Sequence, residues 1–170
     1  MNKVNKIVYM GLLIALEVIL TRFLSIQTLI VRIGFGFLPI AAAGIMFGPI
    51  FAGMIAAIAD ILGIIIFPKG AYFPGFTLSA FVSGLIYGAL LWKNSMSVVR
   101  TAMAVGLIIV FVDLIMNTYW LTIITGKAAQ ILLAPRLIKS AIMFPIQTIL
   151  IYTLWRTVNK LEFIPKLYKL

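Results

Sequence analysis

The chain has no cysteine and no histidine among its 170 residues. Without cysteine there are no disulfides, no thiol nucleophile and no thiolate metal site. Without histidine it lacks the commonest general base and metal ligand. Charge is scarce too: 11% of residues are Asp, Glu, Lys or Arg, and only four are acidic. What replaces polarity is apolar length. The sequence is 64% hydrophobic with a mean hydropathy of +1.18, a balance no water-soluble class shows. Apolar runs recur along the whole length and approach the roughly 20 residues needed to cross a bilayer. They do not alternate over about 10 residues as membrane β-strands would. The expected fold class is therefore all-α: a polytopic membrane protein, a six-transmembrane-helix bundle forming one integral membrane domain over 1–170. Lys3 and Lys6 precede the first run as in a signal peptide. No small-residue cleavage site follows, and Glu17 and Arg22 stand where it should be, so a retained first helix is expected.

Six spans are expected at about 7–24, 35–48, 49–67, 76–92, 101–124 and 136–157. Gly48-Pro49 divides the long run from Phe35 to Phe67, which exceeds one crossing. Lys93 to Arg100 links the fourth span to the fifth, and Gly126 to Pro135 the fifth to the sixth. An even number of spans places both termini on one side. That side collects Lys3, Lys6, Lys93, Arg100, Arg156, Lys160, Lys166 and Lys169. The other side has Arg22, Arg32, Lys69, Lys127, Arg136 and Lys139. The balance favours cytoplasmic termini. Lys166 and Lys169 read as an anchor to anionic lipid, and the net charge of +10 as topology rather than nucleic-acid binding. The outer cations lack acidic partners in the sequence pattern and form a mouth attractive to an anion; the alternative is snorkelling at helix ends.

The break from Pro68 to Gly75 has two prolines and two glycines, so neither flanking helix continues through it. It also carries Tyr72 and Phe73, with Phe76 just beyond. Three aromatics around a rigid turn suit a lid or wall against a flat ligand, or else an interfacial belt. Ionisable residues at membrane depth are functional candidates, here Glu17, Asp60 and Asp113. Asp113, Asn117 and Trp120 share a helix face, and Arg136, Ser140, Met143 and Gln147 form a similar stripe with Lys139 alongside. Together they describe a pocket open outward, in which an amide, an acid and an indole hold a flat heterocycle. For Asp113 and Gln147 the favoured reading is a contact across the two helices, Asp113 or Asn117 to Gln147. Small residues recur at Gly11 and Ala15, at Gly44, Gly48 and Ala52, and at Ala80, Gly84 and Gly88, which lets helices approach closely. No metalloprotease, nucleophile-elbow or phosphate-loop motif is present, so the chain is not read as an enzyme and no cofactor is expected. Lacking a nucleotide site of its own, it needs a partner or an ion gradient for uphill transport.

The segments Arg32-Ile-Gly-Phe-Gly-Phe-Leu-Pro-Ile40, Phe47-Gly-Pro49, Asp60-Ile-Leu-Gly63, Tyr72-Phe-Pro-Gly-Phe-Thr-Leu-Ser-Ala80, Gly84-Leu-Ile-Tyr-Gly88 and Asn117-Thr-Tyr-Trp-Leu121 resemble the S components of energy-coupling factor (ECF) vitamin transporters, most nearly the folate-specific branch. The resemblance covers nearly the whole chain. It implies a six-helix subunit of the bacterial plasma membrane that captures a vitamin from outside. Such a subunit joins a transmembrane coupling protein and two cytosolic ATPases. In the family, small residues on the first helix dock on the coupling protein; the matching positions here are Gly11 and Ala15, the first departing from alanine. Folate, with a flat pterin and a dicarboxylate tail, suits the candidates. Phe73, Phe76 and Trp120 are assigned to its rings, Asn117 and Asp60 to the pterin edge, and Arg22, Arg32, Arg136 and Lys139 to its carboxylates; Thr77 and Ser140 complete the candidate substrate-binding residues. The alternatives are an S component for another vitamin such as biotin, a small ion-coupled carrier using Glu17, Asp60 and Asp113, or an intramembrane enzyme built on Asp60 and Asp113.

Overall fold

The computed structural model describes residues 3–27, 32–68, 72–95 and 97–160, leaving the side chains of Gln27, Arg32, Asn159 and Lys160 undescribed. Lys69, Lys166 and Lys169 lie outside the described residues. Helices dominate: α1 (Lys3–Arg22), α2 (Phe37–Phe47), α3 (Pro49–Ile66), α4 (Pro74–Leu91), α5 (Val98–Leu107), α6 (Asn117–Thr125) and α7 (Ala129–Lys160). A nine-residue π-helical segment, Ile108–Met116, joins α5 to α6 into one continuous run. Among the described residues five stretches are long and apolar enough to cross a membrane, and α2 is a shorter apolar helix of 11 residues. The outward faces carry Ile7, Ile65, Val99, Ile138 and Ile149, all exposed. Apolar surface this continuous suits a lipid environment rather than water.

Several boundaries differ from the sequence expectation. α4 begins at Pro74 rather than about 76, because proline is favoured in a first helical turn, where its missing N–H has no partner to lose. α7 begins at Ala129 and passes through Pro135 and Pro145, so the link after α6 is only 126–128. In a bundle the backbone groups freed by an internal proline find other partners, and the helix continues. The 25–34 region, expected as a loop, holds a two-stranded antiparallel hairpin, β1 (Ser25–Gln27) with β2 (Arg32–Gly34), pairing Ile26 with Ile33. Open strand edges are not tolerated against hydrocarbon, so this hairpin marks the water-facing end of the bundle.

Close approach of small residues organises the centre. A Cβ on Gly84 would lie 2.5 Å from the Ala52 backbone, and one on Gly88 2.2 Å from Pro49 Cα. The α3–α4 crossing is therefore backbone against backbone. Gly48 turns the chain between α2 and α3 at φ +83°, a region that favours glycine, and abuts the Trp92 ring. α2 is buried along most of its length, from Pro39 to Phe47. A core of Ile45, Ala56, Tyr87, Leu91, Val105, Val112 and Ile151 joins it to α3, α4, the α5–α6 run and α7. At the end opposite the hairpin, Lys6 sits over the Phe51 ring at 3.5 Å and Lys93 over Trp92 at 4.6 Å.

Candidate functional site

At the hairpin end the start of α4 meets the end of α6. Phe73, immediately before α4, lies 5.6 Å from the Trp120 ring and 6.1 Å from Phe76. Tyr119 adds a fourth ring 5.1 Å from Trp120. The wall closes only because residue 75 is glycine: a Cβ there would stand 2.5 Å from both Phe73 and Trp120 ring atoms. The indole Nε1–H of Trp120 donates to Ser79 Oγ at 3.1 Å. That bond fixes the ring and engages its polar atom, leaving π-surface. Ser79 lay within the aromatic stretch of the sequence, but only the partner demand of a half-buried indole would have singled it out.

The α6–α7 groove holds the second group. Asp113 Oδ2 accepts from Lys139 Nζ at 2.8 Å, and its Oδ1 accepts from Asn117 Nδ2 at 3.3 Å. Arg136 Nη2 donates to the Asp113 backbone carbonyl at 2.6 Å. A change from π to α bonding skips a carbonyl along the helix, and Asp113 lies in that stretch. The expected pairing of two stripes is thus realised, with different partners. Asp113 reaches α7 through Lys139 and Arg136, not through Gln147. Lys139, expected as an outer cation without an acid, has one. The cause is reach: the long lysine stem covers the distance to Asp113 along the groove. Ser140 is buried, and its Oγ has no hydrogen-bond partner among the described residues; the same holds for Asn117 Oδ1.

The remaining candidates gather on the other side of α4. Thr77 Oγ1 donates to Asp60 Oδ2 at 2.8 Å, tying α4 to α3. Arg22 is buried at the end of α1, with its guanidinium against Gly63 and a long bond to the Phe67 carbonyl at 3.4 Å. Glu17 is buried one turn earlier. α4 therefore carries Thr77 toward α3 and Ser79 toward α6, and stands between the two polar groups. Arg32 is placed only as backbone, paired with Gln27. Gly11 and Ala15 face away from the bundle with Leu12 and Leu16, and a Cβ on Gly11 would meet nothing within 4 Å. Among the described residues no cluster of acids forms a metal site.

In chemical terms the site joins a rigid aromatic wall, an ion-paired carboxylate, buried acceptors and an arginine at one water-facing end. That set suits an anionic ligand with a flat ring.

A family model described as "ECF transporter, substrate-specific component" matches residues 5–155. The folate transporter FolT of Clostridium novyi (strain NT) is 57% identical over 169 residues, covering 99% of this chain and 98% of that protein. The folate transporter FolT of Leuconostoc mesenteroides subsp. mesenteroides is 34% identical over 156 residues, covering 88% and 84%. A solved structure, the crystal structure of FolT bound with folic acid, superimposes with a TM-score of 0.84 at 42% identity, covering 88% of this chain and 90% of that one.

Proposed function

Since the chain belongs to the substrate-specific components of ECF transporters, we propose that it captures folate at an outward-facing pocket and delivers it to an ATP-driven importer. The observation that carries this is the 0.84 TM-score, at 42% identity, with a FolT that holds folic acid. The site chemistry agrees. The Phe73–Trp120 wall offers π-surface to a pterin or to the aromatic linker. Arg136 offers a planar fork to a carboxylate of the tail, which a lysine matches less well. Arg22 and Arg32 remain proposed contributors at the rim, Phe76, Asp60 and Thr77 at its α3–α4 side, and Lys139 acts beside Arg136 through Asp113. Biotin, thiamine or riboflavin would leave part of this chemistry unused.

The whole chain acts as one integral membrane domain of a bacterial plasma membrane. Its six crossings are the five long helical runs and the α2 segment with the hairpin above it, and both termini are cytoplasmic. Lys3, Lys6, Lys93 and Arg100 at the end opposite the site support that orientation. Energy comes from a transmembrane coupling protein and two cytosolic ATPases. The outward small face at Gly11 and Ala15 supports docking of the coupling protein on α1.

The decisive experiment is calorimetry on the purified chain in detergent, with folic acid against biotin, thiamine and riboflavin. Tight one-to-one binding of folic acid alone, without nucleotide, is expected. Binding of biotin in preference to folic acid, or of none of the four, would overturn the assignment.

A further inference from the structure

The Asn117 amide is engaged at one end and, among the described residues, without a partner at the other. Its Nδ2 donates to Asp113 Oδ1 at 3.3 Å, while its buried Oδ1 has no hydrogen-bond partner among the described residues. The other Asp113 oxygen takes the Lys139 ammonium at 2.8 Å. A carboxylate paired with an ammonium only accepts hydrogen bonds. The amide cannot turn its oxygen toward Asp113 without setting two acceptors face to face, so it has one orientation: NH2 to Asp113, oxygen away from it. Trp120, three residues on, has its N–H on Ser79. Across the groove the buried Ser140 hydroxyl also has no partner among the described residues, and a hydroxyl rotates to suit either role.

We propose that Lys139 and Asp113 are positioning residues that lock the Asn117 amide, so that its Oδ1 presents a fixed acceptor and the pocket selects a heteroaromatic edge bearing N–H donors. This rests on reading the groove as the folate site. The amino-pyrimidine edge of the pterin supplies such donors, and a flat ring with only acceptors on that edge would leave Oδ1 buried and unpaired. Lys139 is then a specificity element: its charge holds the carboxylate that holds the amide.

The test is a ratio, measured by calorimetry on the full chain in detergent: affinity for folic acid divided by affinity for 2-desaminofolic acid, in which hydrogen replaces the exocyclic amino group. The unsubstituted protein is expected to show a ratio of about tenfold or more. In Asn117→Leu the ratio falls to about one, because the acceptor is gone. In Asp113→Asn it falls severalfold, since the amide is no longer locked. The exchange Asp113→Asn/Asn117→Asp restores it, because the groove again faces an acceptor only. A merely structural role for Asp113 would lower both affinities together and leave the ratio alone. If Asn117→Leu does not fold, Asn117→Ala gives the same reading, since it too carries no acceptor. Folic acid binding with an unaltered ratio in these variants overturns this inference and leaves the folate reading intact. No folic acid binding to the unsubstituted protein overturns both.

Discussion

Gly75 shows how one missing side chain shapes the site. Phe73 and Trp120 occupy the space its Cβ would take, at 2.5 Å each. Gly75→Ala must push at least one ring aside while leaving the first turn of α4 helical. Folic acid affinity is expected to fall about tenfold or more, with the loss of one well-made aromatic contact, and melting temperature to change little. Quenching of Trp120 fluorescence by the bound pterin would weaken in parallel. Arg136 is a second single-residue case. Its guanidinium braces the Asp113 carbonyl, so Arg136→Ala removes that brace together with the fork proposed for the ligand. A hundredfold loss in calorimetry is the order expected for a charge-assisted bidentate contact (about 2–3 kcal/mol). Unchanged affinity would remove Arg136 from the carboxylate site. Of the site residues, Trp120, Asn117 and Arg136 were legible as stripes at helical spacing. Ser79, Gly75 and the Lys139–Asp113 pair were not, because each depends on which atoms of another helix stand opposite.

Element by element, the chain relies on α3 and α4 crossing in backbone contact. Gly84 and Gly88 are the residues that permit it, facing Ala52 and Pro49. Gly88→Val inserts a branched side chain where even a Cβ stands 2.2 Å from Pro49 Cα. The helices must separate, and stability should drop by about 3 kcal/mol, read as a lower melting temperature in detergent whether or not folic acid is present. This crossing was visible beforehand as a small residue every fourth position. The hairpin and the π segment were not. Ser25–Gln27 and Arg32–Gly34 are too short to show alternation over several residues. Residues 108–116 contain neither proline nor glycine to signal a change of helical pitch. The π segment nevertheless ends beside Asn117, whose backbone N–H donates to the Val112 carbonyl, while Arg136 takes the carbonyl of Asp113.

For the whole molecule, two surfaces carry the proposed roles. One end carries the aromatic and charged site; the outward face of α1 carries Gly11 and Ala15 with open space above them. Substitutions on α1 should therefore separate capture from transport. Gly11→Leu/Ala15→Leu is expected to bind folic acid like the unsubstituted protein and melt at the same temperature. Copurification with the coupling protein and ATP-dependent folate uptake should both be lost. Retained uptake would move the docking surface elsewhere. By itself the sequence determined the all-helical membrane class, the polar stripes and the small-residue seams, since each is a matter of composition or of spacing along one helix. Only the tertiary structure decided which polar groups meet: Lys139 with Asp113 rather than Gln147, Thr77 with Asp60, Trp120 with Ser79. The reason is that side-chain reach and helix rotation, not spacing in sequence, choose partners across a groove.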